Sequence, residues 1–197
     1  MEHRNNISVS VQPQIGIFLS LFIILVPLRW VFAWLFALLF HEVCHVLMII
    51  LCRKRIYSAD ISVRGVILRT EALSLFQNAL CSFAGPAGGL LFLPLARWFP
   101  RLAMCALVQS AYNLLPIRPL DGSHIVSAIG CIFFGDAIAE RIVSVAEYVV
   151  LFTLISCCLY LTVVCKMGLL PLAFAAILLF RRAKIKIPCK EAVHRVQ

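Results

Sequence analysis

The sequence predicts an all-α polytopic membrane protein with about six transmembrane helices, one of them discontinuous, and a small β-hairpin at the membrane surface. Of the 197 residues, 62% are hydrophobic and only 14% are charged, and the mean hydropathy is +0.99. An ordinary soluble domain carries about 25% charged and about 45–50% apolar residues. Apolar runs recur along the chain, several of them near the ~20 residues that a helix needs to cross a bilayer.

The net charge of +9 is compatible with binding to nucleic acid or with insertion in a membrane. The basic residues lie mostly at the ends of apolar runs, as the positive-inside rule requires, which favours the membrane. The clusters Arg53–Arg55 and Arg181–Lys186 follow the second and sixth predicted spans and therefore share one face. We expect a multi-pass protein of a bacterial cell membrane, with both termini cytoplasmic, the lipid bilayer as its surroundings and no nucleic-acid partner.

The amino-terminal part begins with an alternation of apolar and polar residues over 7–13, which indicates a strand that ends at Pro13. A short first span is predicted over about 15–28. The second span, about 30–52, stops at the basic cluster. Alternation returns in 56–71, with Gly65 supplying a turn, and predicts a hairpin.

The third predicted span, about 73–98, contains the small residues Ala84–Gly89, which allow close helix packing, and Pro86, which would kink the helix. A fourth apolar segment begins at Leu102, breaks at Pro116–Gly122 and resumes as Ser123–Phe134. Unwound backbone at this depth is tolerated only where protein or a water-filled cavity surrounds it. The break is therefore a candidate site.

The last part of the chain is predicted as a polar loop over 135–141, a fifth span over about 142–165 and a sixth over about 167–180. A basic cytoplasmic tail occupies 181–197. We interpret 1–197 as a single domain whose core spans about 30–134.

Ionisable residues inside the second span carry the chemistry. His41 and His45 are four residues apart, hence on one helix face, and Glu42 follows the first histidine. This H-E-x-x-H pattern supplies two Zn²⁺ ligands and a general base. The alternative is a buried polar cluster that stabilises the bundle. Because each charge in a membrane is costly, three together favour a functional site.

A catalytic zinc ion needs a third protein ligand and an open position. Asp121 is the only carboxylate in the broken helix, and a carboxylate suits that role. Taken alone, Pro119–Gly122 is typical of an ordinary turn. Together with the histidine motif, it predicts a site of His41, His45 and Asp121.

Three motifs resemble those of the site-2 protease family of intramembrane zinc metalloproteases, in order and in spacing. They are His41–His45, Ala84–Pro86 and, the most specific, Asn113–Gly122. The resemblance implies zinc endopeptidase activity, with His41, His45 and Asp121 as ligands. Glu42 would activate the attacking water and then protonate the leaving amine.

The resemblance also places Asn113 near the scissile bond, where it would hold the substrate or the oxyanion; a helix–helix hydrogen bond is the alternative. The strand-like start, the early span and the hairpin resemble the sporulation-type subgroup, whose enzymes process a membrane-associated pro-sigma factor. The hairpin could pair with a substrate strand. We expect no CBS domain after Lys186 and no inserted PDZ domain.

Several other residues have competing interpretations. Arg118 stands where relatives tend to have an apolar residue, and it could pair with a carboxylate, contact substrate or reach the membrane interface. We expect His124 in a supporting or packing role, Cys44 in core packing and Glu147 at the interface.

The function predicted from the sequence is hydrolysis of a peptide bond in a membrane-embedded or membrane-associated protein near the cytoplasmic face. A pro-sigma factor or another regulatory protein would be the substrate, and regulatory membrane proteins would be further partners. The alternatives are a metal transporter, which should show internal duplication of its ligands, and an inactive protease-like scaffold.

Overall fold

The structure is a computed structural model that describes residues 8–11, 13–62, 65–166, 168, 172, 176 and 195–196. Within these residues the chain forms six α-helices, one 3-10 helix and four strands. In chain order they are β1 (Ser8–Val11), α1 (Gln14–Leu25), α2 (Leu28–Leu51), β2 (Ile56–Ser62), β3 (Gly65–Thr70), α3 (Leu75–Leu90), the 3-10 helix Pro94–Arg97, α4 (Pro100–Asn113), α5 (Asp121–Phe134), α6 (Asp136–Val163) and β4 (Arg195–Val196).

Three helical stretches in the described part of the chain are long and apolar enough to cross a membrane. They are α2, α3 together with the 3-10 helix, and α6, with mean hydropathies of 2.1, 1.6 and 2.2. Large apolar side chains such as Phe36 on α2 and Phe152 on α6 are exposed. Burial in lipid explains such a surface, because it is unfavourable in water. The predicted fold class is confirmed.

The first predicted span is the shorter helix α1, which ends at Leu25 and is separated from α2 by Val26 and Pro27. Pro27 precedes the first turn of α2, where the missing N–H of a proline has no cost. At 12 residues, α1 is below the length of a straight bilayer crossing.

The prediction of a polar loop over 135–141 is wrong except at Gly135. Gly135 adopts φ +79° and ends α5, and α6 begins directly at Asp136. The acidic side chain in the first turn of α6 interacts favourably with the helix dipole, so a polar sequence starts this helix instead of separating two spans. The sixth predicted span and the basic tail lie largely outside the described residues.

The strands form one sheet in the order β1-β2-β3-β4. The strands β2 and β3 form the predicted antiparallel hairpin, and β1 adds to it in parallel. Gly65, predicted as the turn, instead belongs to β3 and pairs with Ser62. A buried cluster of Ile49, Leu68, Leu73 and Cys81 joins the sheet to α2 and α3.

The helix α3 packs against α2, α4 and α5. Its small residues allow this, because a Cβ at Gly88 would collide with Cys44 on α2, and one at Gly89 with Ser110 on α4. The contact with Gly88 agrees with the packing role predicted for Cys44.

The predicted discontinuous helix is present as α4 and α5, separated by residues 114–120. Within the break, Ile117 and Leu120 are buried and pack against Leu151 on α6. Asn113, the last residue of α4, and Asp121, the first residue of α5, therefore both lie on the inner side of the helix bundle.

Candidate metal centre

The two histidines of the H-E-x-x-H motif lie on one face of α2 and are buried, with relative exposures of 3% for His41 and 0% for His45. Their Nε2 atoms are 3.2 Å apart, and the two rings meet edge to face. Helical spacing alone brings the side chains together; their burial comes from packing against α3.

Asp121 reaches the same point from α5, of which it is the first residue. Its Oδ2 atom lies 3.1 Å from His41 Nε2 and 3.3 Å from His45 Nε2. The following Gly122 packs directly on the carbonyl groups of Leu114 and Leu115, where a Cβ would collide. This close packing of Gly122 on the preceding backbone places the Asp121 carboxylate next to the histidines of α2.

Gly85 on α3 forms the wall beside these three residues. A Cβ at this position would collide with His45 Nε2 and lie 2.7 Å from His41 Nε2. Only a glycine leaves room for the two imidazoles to keep their Nε2 atoms side by side.

The proton positions follow from one hydrogen bond. His45 Nδ1 is 2.7 Å from the carbonyl oxygen of Cys81, which can only accept, so Nδ1 donates. In the neutral imidazole of His45, Nε2 then carries no proton and has a free lone pair. This lone pair faces the Asp121 carboxylate and His41 Nε2. Within the described part of the chain, His41 Nδ1 is buried with no hydrogen-bond partner.

This donor set fits a metal ion. The three atoms form a nearly equilateral triangle with edges of 3.1, 3.2 and 3.3 Å. A tetrahedral ion at about 2.0–2.1 Å from each ligand would separate the ligands by about 3.3 Å. A cation also satisfies lone pairs that cannot all hydrogen-bond to one another. We call His41, His45 and Asp121 a metal-capable group, because their ligand atoms lie close enough together to hold one metal ion. Among the described residues, it is the only such group of three or more His, Cys, Asp or Glu side chains.

The same architecture occurs in a solved structure, the site-2 protease from Methanocaldococcus jannaschii. The match covers 100% of this chain and 95% of that one, with a TM-score of 0.61 and 15% sequence identity. The chain has the fold of a site-2 protease. No protein-family model and no curated protein matches the sequence.

Glu42 and Asn113 border the three metal-capable residues. Glu42 is partly buried, and its Oε2 atom is shielded from solvent with no hydrogen-bond partner among the described residues. Asn113 is the last residue of α4, and its Nδ2 atom lies 3.1 Å from His41 Nε2. The two helices on either side of the break thus each contribute one polar side chain: Asn113 from α4 and Asp121 from α5.

His124 is half-buried one turn after Asp121 and does not belong to the metal-capable group. This position agrees with a supporting or packing role better than with a fourth ligand.

Arg118 and Glu147 form an ion pair that the sequence did not reveal. The prediction that Glu147 reaches the interface is wrong, because its residue is only 4% exposed and its Oε2 lies 3.5 Å from Arg118 Nε. Of the three alternatives for Arg118, the structure selects pairing with a carboxylate. The one available signal was that both residues are charged and stand in largely apolar stretches of the sequence.

Proposed function

We propose that this protein is an intramembrane zinc endopeptidase of the site-2 protease type. The observation that carries the proposal is the buried triangle of His41 Nε2, His45 Nε2 and Asp121 Oδ2, with edges of 3.1–3.3 Å. Two imidazoles and a carboxylate form a common ligand set of catalytic zinc, which keeps one position open. The shared fold supports the same interpretation.

The side chains around the triangle divide the chemistry among them. When bound, a zinc ion acts as a Lewis acid toward the scissile carbonyl and the attacking water. Glu42 takes the proton from that water and returns it to the leaving amine. Asn113 donates from Nδ2 to the carbonyl oxygen as negative charge develops there. The Cys81 carbonyl holds the His45 ring in the tautomer that presents Nε2 to the ion.

The substrate is a membrane-embedded or membrane-associated protein, cut near the cytoplasmic face. Six residues separate His45 from the end of α2 at Leu51, about 9 Å at 1.5 Å per residue, and the basic cluster follows immediately. By the positive-inside rule that end is cytoplasmic, as are both termini, in a bacterial cell membrane. A pro-sigma factor or similar regulatory protein is the proposed substrate class, in keeping with a sporulation-type enzyme and its regulatory membrane partners.

The test is co-expression with candidate membrane-tethered transcription factors, comparing wild type with Glu42→Gln. The amide has the size of the carboxylate but cannot accept the proton, so the variant should retain zinc and lose cleavage. Glu140→Gln, the same change at an exposed position on α6, is the control and should cleave normally. Normal cleavage by Glu42→Gln would overturn the mechanism.

A metal transporter is the competing function. It would need ligands in a second half of the molecule, and the described residues hold a single metal-capable group. Zinc uptake into vesicles that contain the purified protein would support transport, and its absence together with cleavage supports the protease.

A further inference from the structure

The ion pair of Arg118 and Glu147 joins the break in the discontinuous helix to α6. Arg118 Nε lies 3.5 Å from Glu147 Oε2, and Arg118 Nη2 donates to Ser144 Oγ over 2.8 Å. The side chains are 22% and 5% exposed. Ser144 and Glu147 are three residues apart and share one face of α6, so a single guanidinium engages both. A lysine, with its compact ammonium group, could not reproduce this forked contact.

The depth of the pair argues against an accidental surface contact. Glu147 lies about 16 Å along α6 from Asp136, at 1.5 Å per residue. It is the only charged residue among those buried on α6. Charged groups at membrane depth are costly and persist mainly where they pair or serve function.

Arg118 lies within the break, three residues before Asp121, so the ion pair joins α6 to the segment that leads directly into that residue. Ile117 and Leu120 hold the same segment by apolar contact with Leu151. Apolar contacts are non-directional. The hydrogen bond that Arg118 Nη2 donates to Ser144 Oγ is directional, and together with the ion pair to Glu147 it fixes the height of the break along α6.

We propose that the Arg118–Glu147 ion pair is a positioning device for Asp121. It holds the break against α6 so that Asp121 Oδ2 stays beside the two histidine Nε2 atoms. The inference rests on the proposed function in one respect, namely that Asp121 binds the metal. A ligand must be held to within about 0.5 Å for tight binding, and a loop of seven residues needs a support of this kind.

The experiment is a double-variant cycle on the full chain purified in detergent, with zinc affinity measured by chelator competition. Arg118→Met should weaken zinc binding about 10–100-fold, as loss of a ligand's support does. Asp121→Asn should weaken it at least as much. In the Asp121→Asn background, Arg118→Met should cause no further loss, because the pair acts through Asp121.

Arg141→Met, the same substitution at an exposed position of α6, should bind zinc as wild type does. Glu147→Gln keeps the shape of the side chain, should reproduce the loss and replaces Arg118→Met in the cycle if the latter does not fold. Exchanging the two charges, Arg118→Glu with Glu147→Arg, should recover part of the affinity.

Two results would overturn the positioning role: wild-type affinity in both Arg118→Met and Glu147→Gln, or the same loss with and without Asp121. The second would show a general effect on folding. If Asp121→Asn itself binds zinc normally, the proposed metal site fails, and that outcome is distinct from failure of the ion pair alone.

Discussion

Asp121 Oδ2 on α5 lies 3.1 Å from His41 Nε2 on α2, although 80 positions separate the two residues in sequence. The helix α3 packs against both α2 and α5, and its Gly85 lies directly against the histidines. The geometry of the site therefore depends on how closely three helices approach.

Gly85→Ala tests that close approach. The added Cβ would collide with His45 Nε2 and crowd His41 Nε2, so the ligand triangle should open and zinc affinity should fall by at least about tenfold. Affinity is measured by chelator competition on the purified protein. Gly16→Ala on α1 is the matched control, since a Cβ there meets nothing within 4 Å. Wild-type zinc binding by Gly85→Ala would contradict the close contact between Gly85 and the two histidines.

Asn113→Ala tests whether the amide acts in the reaction or only joins helices. If Nδ2 stabilises developing charge, kcat should fall about 10²–10³-fold with zinc content unchanged. A helix–helix hydrogen bond would instead lower stability and leave the kcat of the folded protein intact. Gln109→Ala, one turn earlier on α4, is the control, and its kcat should match wild type. The measurement is cleavage of a purified substrate at varied concentration.

The packing of α3 on α4 can be tested through Gly89 and Ser110. A Cβ at Gly89 would collide with Ser110 Oγ, so Gly89→Ala should destabilise the protein by about 1–3 kcal/mol. Ser110→Ala removes that oxygen, which has no partner among the described residues, and should reduce the cost of Gly89→Ala. Unfolding in SDS gives both values. An equal cost in the two backgrounds would contradict the contact.

Features that depend on local sequence could be predicted well. The four-residue spacing of His41 and His45 places them on one helix face, and the prolines and glycine of 116–122 end one helix before the next begins. The predicted break and the observed one differ by only two residues at either end. Ionisable residues in apolar surroundings identified the site because burying them without a function is costly.

Features that depend on partners far along the chain could not be predicted. The alternation in 7–13 indicates a strand but not its parallel pairing with β2, because two helices, α1 and α2, lie between the two strands. Likewise, Arg118 had three plausible environments, and only the packing of the break on α6 brings Glu147 to it. The start of α6 was missed because the polarity of 135–141 resembles a loop, whereas a single glycine suffices for the turn.

Zinc stoichiometry tests the central claim most directly. Elemental analysis of the full chain purified without chelators should give about one zinc ion per chain in the wild type, held by three protein ligands. The double variant His41→Ala with Asp121→Ala should contain almost none, whereas His124→Ala should retain it. A wild type without bound zinc, or a double variant with the wild-type amount, would contradict the assignment of this site.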